Sequence, residues 1–157
     1  MKSKAGTVLL SGLVAGTMDI IAPILIYSVI LQKTTTVKIL QSIASGIFKK
    51  DAYSGDPKMA VFGLVIHFII ATIFALFYFA IYPYLPSLKN KTIISGCIYG
   101  ILVWIVMNLI VLPIVFPILP AKHLDFPLLL SIVIHVFCVG IPIAIITKKH
   151  YQHTLNK

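Results

Sequence analysis

The stretch MAVFGLVIHFIIATIFALFYFAIYPYL, Met59 to Leu85, contains no lysine and no carboxylate, and its one imidazole is His67. A helix rises ~1.5 Å per residue and a bilayer's hydrocarbon core is ~30 Å thick, so about 20 such residues cross it. This run is longer than that. It opens after Asp56-Pro57-Lys58, where proline presets the backbone angle of a first helical turn. It closes on Tyr82 and Tyr84, amphipathic rings suited to the lipid headgroup level. Met59 to Leu85 therefore reads as a transmembrane helix.

Three more runs follow the same pattern. Thr7 to Leu31 is interrupted by one charge, Asp19, and ends at Gln32-Lys33. Thr92 to Phe116 is loosened at its end by Pro113, Pro117 and Pro120, and a short connection spans Pro117 to Phe126. Pro127 to Thr147 stops at Lys148-Lys149, and a polar, frayed tail is expected from His150 to Lys157. The expected fold is an all-α polytopic membrane protein, a four-helix bundle forming a single transmembrane domain over residues 1–157. Its spans lie at about 7–31, 59–85, 92–116 and 127–147.

Residues 34–50 are different in kind. Val37, Leu40, Ile43, Ala44, Ile47 and Phe48 recur at helical spacing, while Lys38, Gln41, Ser42, Ser45 and Lys49 take the other side. Such a helix is too polar to span; it lies in the membrane interface with its lysines toward the headgroups, or packs across the end of the bundle. Asp51 to Asp56 is a turn-rich loop.

Composition agrees with a lipid environment: 59% hydrophobic, 11% charged and a mean hydropathy of +1.04, against about 25% charged in a soluble domain. The net charge of +9 comes entirely from lysine, placed between or outside the apolar runs, with no arginine in the chain. Anionic lipid headgroups are the partner this favours, and no nucleic acid is expected, because the residue best suited to bidentate phosphate and base contacts is missing. Cys97 and Cys138 lie inside apolar runs without metal-knuckle spacing and read as reduced packing residues. The first run is long, holds Asp19 and lacks a small-residue cleavage pattern, so no cleaved signal peptide is expected.

Lys2, Lys4, Lys89, Lys91, Lys148, Lys149 and Lys157 fall on the N-terminal side. Lys33, Lys38, Lys49, Lys50, Lys58 and Lys122 fall on the other. Setting aside Lys38, Lys49 and Lys50 of the surface helix, the bias puts both termini in the cytoplasm.

The chain also echoes itself. Ser11-Gly12-x-x-x-Gly16 in the first span returns as Ser95-Gly96-x-x-x-Gly100 in the third, and Val65-Ile66-His67 in the second returns as Val133-Ile134-His135 in the fourth. Two spans per half would make parallel repeats about an axis along the membrane normal. Separate selection of each motif for close packing explains the same matches.

Polar side chains inside spans are costly and mark sites by default; here they are Asp19, His67, His135 and Asn108. Asp19 lies about 18 Å from the N-terminal face, and the two histidines about 12 Å from the opposite one, so in a ~30 Å core the three share a depth. At 100° per residue, Gly12, Gly16, Asp19 and Pro23 fall within about 60° of one another. Gly63, in a small-residue stripe with His67, joins Gly12, Gly16, Gly96 and Gly100 as a helix-packing position. Pro23 also frees the carbonyl of Asp19 from its usual helical bond.

Three readings of the trio remain open: a buried Asp–His bond fixing helix register, a proton- or ion-coupled pathway, and ligation of a metal or haem by His67 and His135. Asn108 reads as a separate interhelical hydrogen bond. No metal site and no cofactor are expected, with haem on His67 and His135 as a further alternative. No H-E-x-x-H, G-x-S-x-G, Ser-x-x-Lys or phosphate-cradling loop occurs, so catalysis is not indicated.

Gly12 to Asp19, Ile39 to Gly46, Gly63 to Phe68, Tyr99-Gly100 and Met107 to Pro113, taken together, resemble a group of small bacterial inner-membrane proteins of unknown function, the YagU-like family. The resemblance covers about Gly12 to Pro113. It implies a four-span protein of the bacterial cytoplasmic membrane, and no catalytic or binding residue. The expected function is small-solute, ion or proton transport, with a homodimer as the expected assembly. The alternatives are a non-catalytic scaffold or accessory subunit and, third, a haem-binding or enzymatic membrane protein.

Overall fold

Short polar side chains ahead of apolar runs set where the helices begin. In a computed structural model describing residues 3–116 and 125–155, the Ser3 hydroxyl accepts the Gly6 N–H at 3.0 Å. Thr35 accepts from Lys38 at 3.3 Å, and the Asp56 carboxylate accepts from Lys58 at 2.8 Å. Asp125 accepts from Leu128 at 2.9 Å. Each satisfies an N–H that the first turn leaves without a partner, and Pro57 and Pro127 occupy first-turn positions where a missing donor costs nothing.

The described residues are helical and contain no strand. Helices α1 (Lys4–Ile30), α3 (Pro57–Tyr84), α5 (Thr92–Val115) and α6 (Phe126–His153) are long and apolar enough to cross a membrane. Between them stand α2 (Thr36–Phe48) and the short α4 (Pro86–Asn90). Most of the connection expected at Pro117 to Phe126, with Pro117, Pro120 and Lys122, lies outside the described residues, as do Lys2 and Lys157.

Residues 150–155 depart from the expected frayed tail. The helix continues to Leu155, because Tyr151 stacks on Tyr82 with ring centroids 4.9 Å apart and His150 Nδ1 pairs with the Thr7 hydroxyl at 2.7 Å. With Tyr78, Tyr99 and Phe79 these rings close the N-terminal end of the bundle. An even number of crossings means that reporters fused to the two ends should sit on the same side of the membrane. Opposite-side signals would remove a span.

Small residues bring α1 against α3 and α5 against α6. A Cβ on Gly12 would lie 2.7 Å from the Thr72 Cα, and one on Gly16 2.8 Å from the Phe68 ring. In the second half, a Cβ on Gly96 would lie 3.1 Å from the Gly140 carbonyl, and one on Gly100 2.5 Å from the Val136 Cα. Moving the first-span partner by 84 positions and the second-span partner by 68 carries Gly12–Thr72 onto Gly96–Gly140, and Gly16–Phe68 onto Gly100–Val136. The echoed motifs are thus the two sides of one packing register used twice, as a parallel repeat requires.

The halves differ elsewhere. α1 packs directly on α6, whereas the backbones of α3 and α5 stand apart. Tyrosines bridge that wider seam: Tyr78 donates to the Ser95 hydroxyl at 2.9 Å and Tyr99 to the Phe74 carbonyl at 2.6 Å.

Three spans relax from α to π turns, at Ile24–Ile30, Val106–Val111 and His135–Gly140. In α1 this follows Pro23, which lacks the donor for an i−4 bond.

α2 packs on the bundle in an orientation its sequence pattern does not announce. Gln41, Ala44 and Ser45 are buried, and a Cβ on Gly63 of α3 would run into the Leu40 carbonyl. Val37 and Ile47 face outward, because in a membrane the apolar side belongs to lipid and the small polar side can turn in. At its C-terminal end Lys49 reaches past the last turn of α2 to the Val115 carbonyl of α5 at 3.1 Å, so α2 lies across the end of the bundle. Lys38→Cys should react with water-soluble thiol reagents and Gln41→Cys should not. Equal labelling would detach α2 from α3.

Candidate functional site

The intramembrane polar residues are held by the glycine seams. On α3, His67 lies beside the α1 seam, and its Nε2 donates to the Gly16 carbonyl at 2.8 Å. That fixes the Nε2–H form and leaves Nδ1 with its lone pair when the ring is neutral. The Phe68 ring meets it edge-on, centroids 5.7 Å apart.

His135 opens the π segment of α6, and its Nδ1 donates to the Ser131 carbonyl in its own helix at 2.8 Å. Asn108 is buried in the π segment of α5 and donates to the Trp104 carbonyl four residues back at 3.0 Å. Both side chains thus bond a main-chain carbonyl one turn earlier, as polar side chains in apolar helices commonly do. The bond across α5 and α6 is made by Trp104, whose Nε1 donates to the Ser131 hydroxyl at 2.8 Å. That hydroxyl in turn donates to the Leu128 carbonyl at 2.7 Å. An interhelical bond beside Asn108 is thus made by Trp104, a residue whose indole N–H must find a partner wherever it is buried.

Asp19 is half-buried on the α1 face shared with Gly12 and Gly16. It stands one turn beyond the carbonyl that His67 holds. Among the described residues no hydrogen bond joins Asp19 to His67 or His135, and its carboxylate accepts none. The structure therefore brings His67 to the Asp19 turn of α1 but leaves His135 on its own helix, and the expected direct Asp–His bond is replaced by His67 on Gly16. Among the described residues no three His, Cys, Asp or Glu side chains converge as a metal ion would require.

Sequence reasoning passed over Gly140. A Cβ there would fall 2.7 Å from the Gly100 Cα, and its signal was available: it stands 68 positions after Thr72, the partner of Gly12. It also passed over the separate hydroxyl bonds of Thr7 to His150, Tyr78 to Ser95 and Tyr99 to the Phe74 carbonyl, whose polar atoms are scattered through apolar runs and meet only once the helices pack.

A family model described as "Family of unknown function (DUF6789)" matches residues 5–149. No curated protein and no solved structure gives a match.

Proposed function

We propose that this chain, which belongs to the family of unknown function DUF6789, is a small multi-pass membrane protein that carries protons, or a small solute coupled to them, with Asp19 as the group that takes up and releases the proton. The observation that carries this reading is the unbonded carboxylate of Asp19 on the packed face of α1. An acidic side chain at mid-membrane costs about 2.5–3.5 kcal/mol on insertion scales. A purely structural carboxylate offsets that cost with hydrogen bonds, and the imidazole bonded one turn away, His67, is engaged with Gly16. His67 is then the residue placed to respond to Asp19, since its bond partner, the Gly16 carbonyl, lies one turn away on α1.

A bundle with backbone contact along its glycine seams leaves little room for a path within one copy, so a homodimer in which two Asp19 faces share a path belongs to the same proposal. So do a bacterial cytoplasmic membrane with both termini inside, anionic lipid around the lysine-bearing ends, and kinship with the YagU-like group. The competing reading is a scaffold or accessory subunit, favoured by the bonds that His67, His135 and Asn108 make to main-chain carbonyls. Proteoliposomes decide between them. Proton uptake above that of empty vesicles, driven by a pH step or an imposed potential, supports transport; background rates under both drives leave the scaffold.

A further inference from the structure

Hydroxyls in apolar helices ordinarily bond a carbonyl three or four residues back, and this chain follows the habit: Thr72 bonds Phe68 at 2.7 Å, Ser95 bonds Thr92 at 2.9 Å and Ser131 bonds Leu128 at 2.7 Å. Ser11, Thr92 and Thr147 break it. They are 1%, 9% and 1% exposed, and among the described residues none of their hydroxyl oxygens has a hydrogen-bond partner.

Helix register places two of the three at one level on facing helices. α1 and α6 pack antiparallel, and their contact at the N-terminal end is fixed by Thr7 and His150, 2.7 Å apart. One turn further into the bundle on each helix stand Ser11, four residues after Thr7, and Thr147, three residues before His150. Thr92 opens α5 at the same end, one turn before Gly96, where α5 packs on Gly140 and Ile141 of α6. Hydroxyls that turn away from their own carbonyls and find nothing else cost free energy unless a guest supplies the missing bonds.

We propose that Ser11 and Thr147, with Thr92 contributing from α5, bind ordered water within the bundle, extending the Thr7–His150 pair inward by one rung. Water suits the donors because a hydroxyl both gives and accepts, and a buried water is held by two to four such groups. A metal cation suits them poorly. The acidic residue on α1 is Asp19, two turns beyond Ser11, and Asp51, Asp56 and Asp125 belong to the opposite end, so no carboxylate neutralises a charge there. This water lies apart from Asp19, and its absence would leave the transport reading untouched.

The test turns on a sign. If the Thr147 hydroxyl holds water, Thr147→Val in the full chain in detergent lowers the melting temperature by about 3 °C. The double variant Ser11→Ala/Thr147→Val then loses less than the sum of the singles, because both act on one water. If the hydroxyl is simply unpartnered, Thr147→Val is neutral or raises the melting temperature, and the proposal fails. Wild-type protein supplies a check that needs no variant: radicals generated from water in place by an X-ray pulse should oxidise Val8 and Ile143, which are 7% and 0% exposed and stand one helical turn before Ser11 and Thr147 respectively. Protection of both overturns the proposal. A melting temperature raised by sodium over choline at equal ionic strength, and insensitive to sodium in Thr147→Val, would assign the hydroxyls to a cation and overturn it too.

Discussion

Gly140→Leu should abolish folding of the bundle, with detergent extracts showing aggregated rather than monodisperse protein. A Cβ at this position would meet the Gly100 nitrogen at 2.5 Å and the Gly100 Cα at 2.7 Å. Those are main-chain atoms of α5, which no rotamer change can move. Leucine adds three further carbons to that contact, so the backbones of α5 and α6 must separate along the seam that also positions Trp104 on Ser131. Overpacked cores commonly lose 1–3 kcal/mol; forcing apart two helices whose association in lipid depends on close van der Waals contact should exceed about 3 kcal/mol. Gly12→Leu should behave similarly, since Thr72 Cα stands at 2.7 Å. Two controls bracket the effect: Gly46→Ala, where the nearest atom is the Val115 Cγ1 at 3.4 Å, and Leu13→Ala on the outward side of α1, 51% exposed. Both should stay folded. If Gly140→Leu melts within a few degrees of wild type, the repeated register is not what holds the halves together.

The difference between Gly140 and Gly46 also marks how far the amino-acid sequence alone could be read. Spans and the start at Asp56-Pro57 were legible because they depend on local physics: twenty-odd apolar residues must cross lipid, and Asp56 caps the helix that follows it. The pairing of SGxxxG with VIH was legible as repetition, although its meaning, Gly12 on Thr72 and Gly96 on Gly140, required the helices to meet. The shared depth of Asp19, His67 and His135 rested on a rise of ~1.5 Å per residue, which does not say which partner each side chain finds. His135 begins a π segment. Its ring bonds its own helix while His67 reaches across to α1. α2 misled for another reason. Its apolar positions Val37 and Ile47 would be buried in water-soluble protein, but with lipid as solvent the inward side is the one that permits close approach, and Leu40 against Gly63 provides it.

Asp19→Asn should leave the bundle folded and reduce proton flux in proteoliposomes to that of empty vesicles. The substitution keeps the size of the side chain and its ability to accept a hydrogen bond, and removes its ability to exchange a proton. Because Asp19 accepts no bond among the described residues, folding loses no partner, and because a neutral amide is cheaper than a carboxylate at mid-membrane, stability should hold or rise slightly. A structural Asp19 predicts the reverse pairing, with loss of stability and no change in a flux that was never there. His67→Gln separates the two roles further, since glutamine can still donate to the Gly16 carbonyl but cannot be protonated. If His67 assists Asp19, flux should fall about tenfold, a change of ~1.4 kcal/mol in the barrier, with the melting temperature unchanged. Flux retained in Asp19→Asn would remove the carboxylate from the pathway altogether. The carrier of the proton would then have to be sought where this chain keeps other buried groups that can pass one on, among the hydroxyls of Ser11, Thr92 and Thr147.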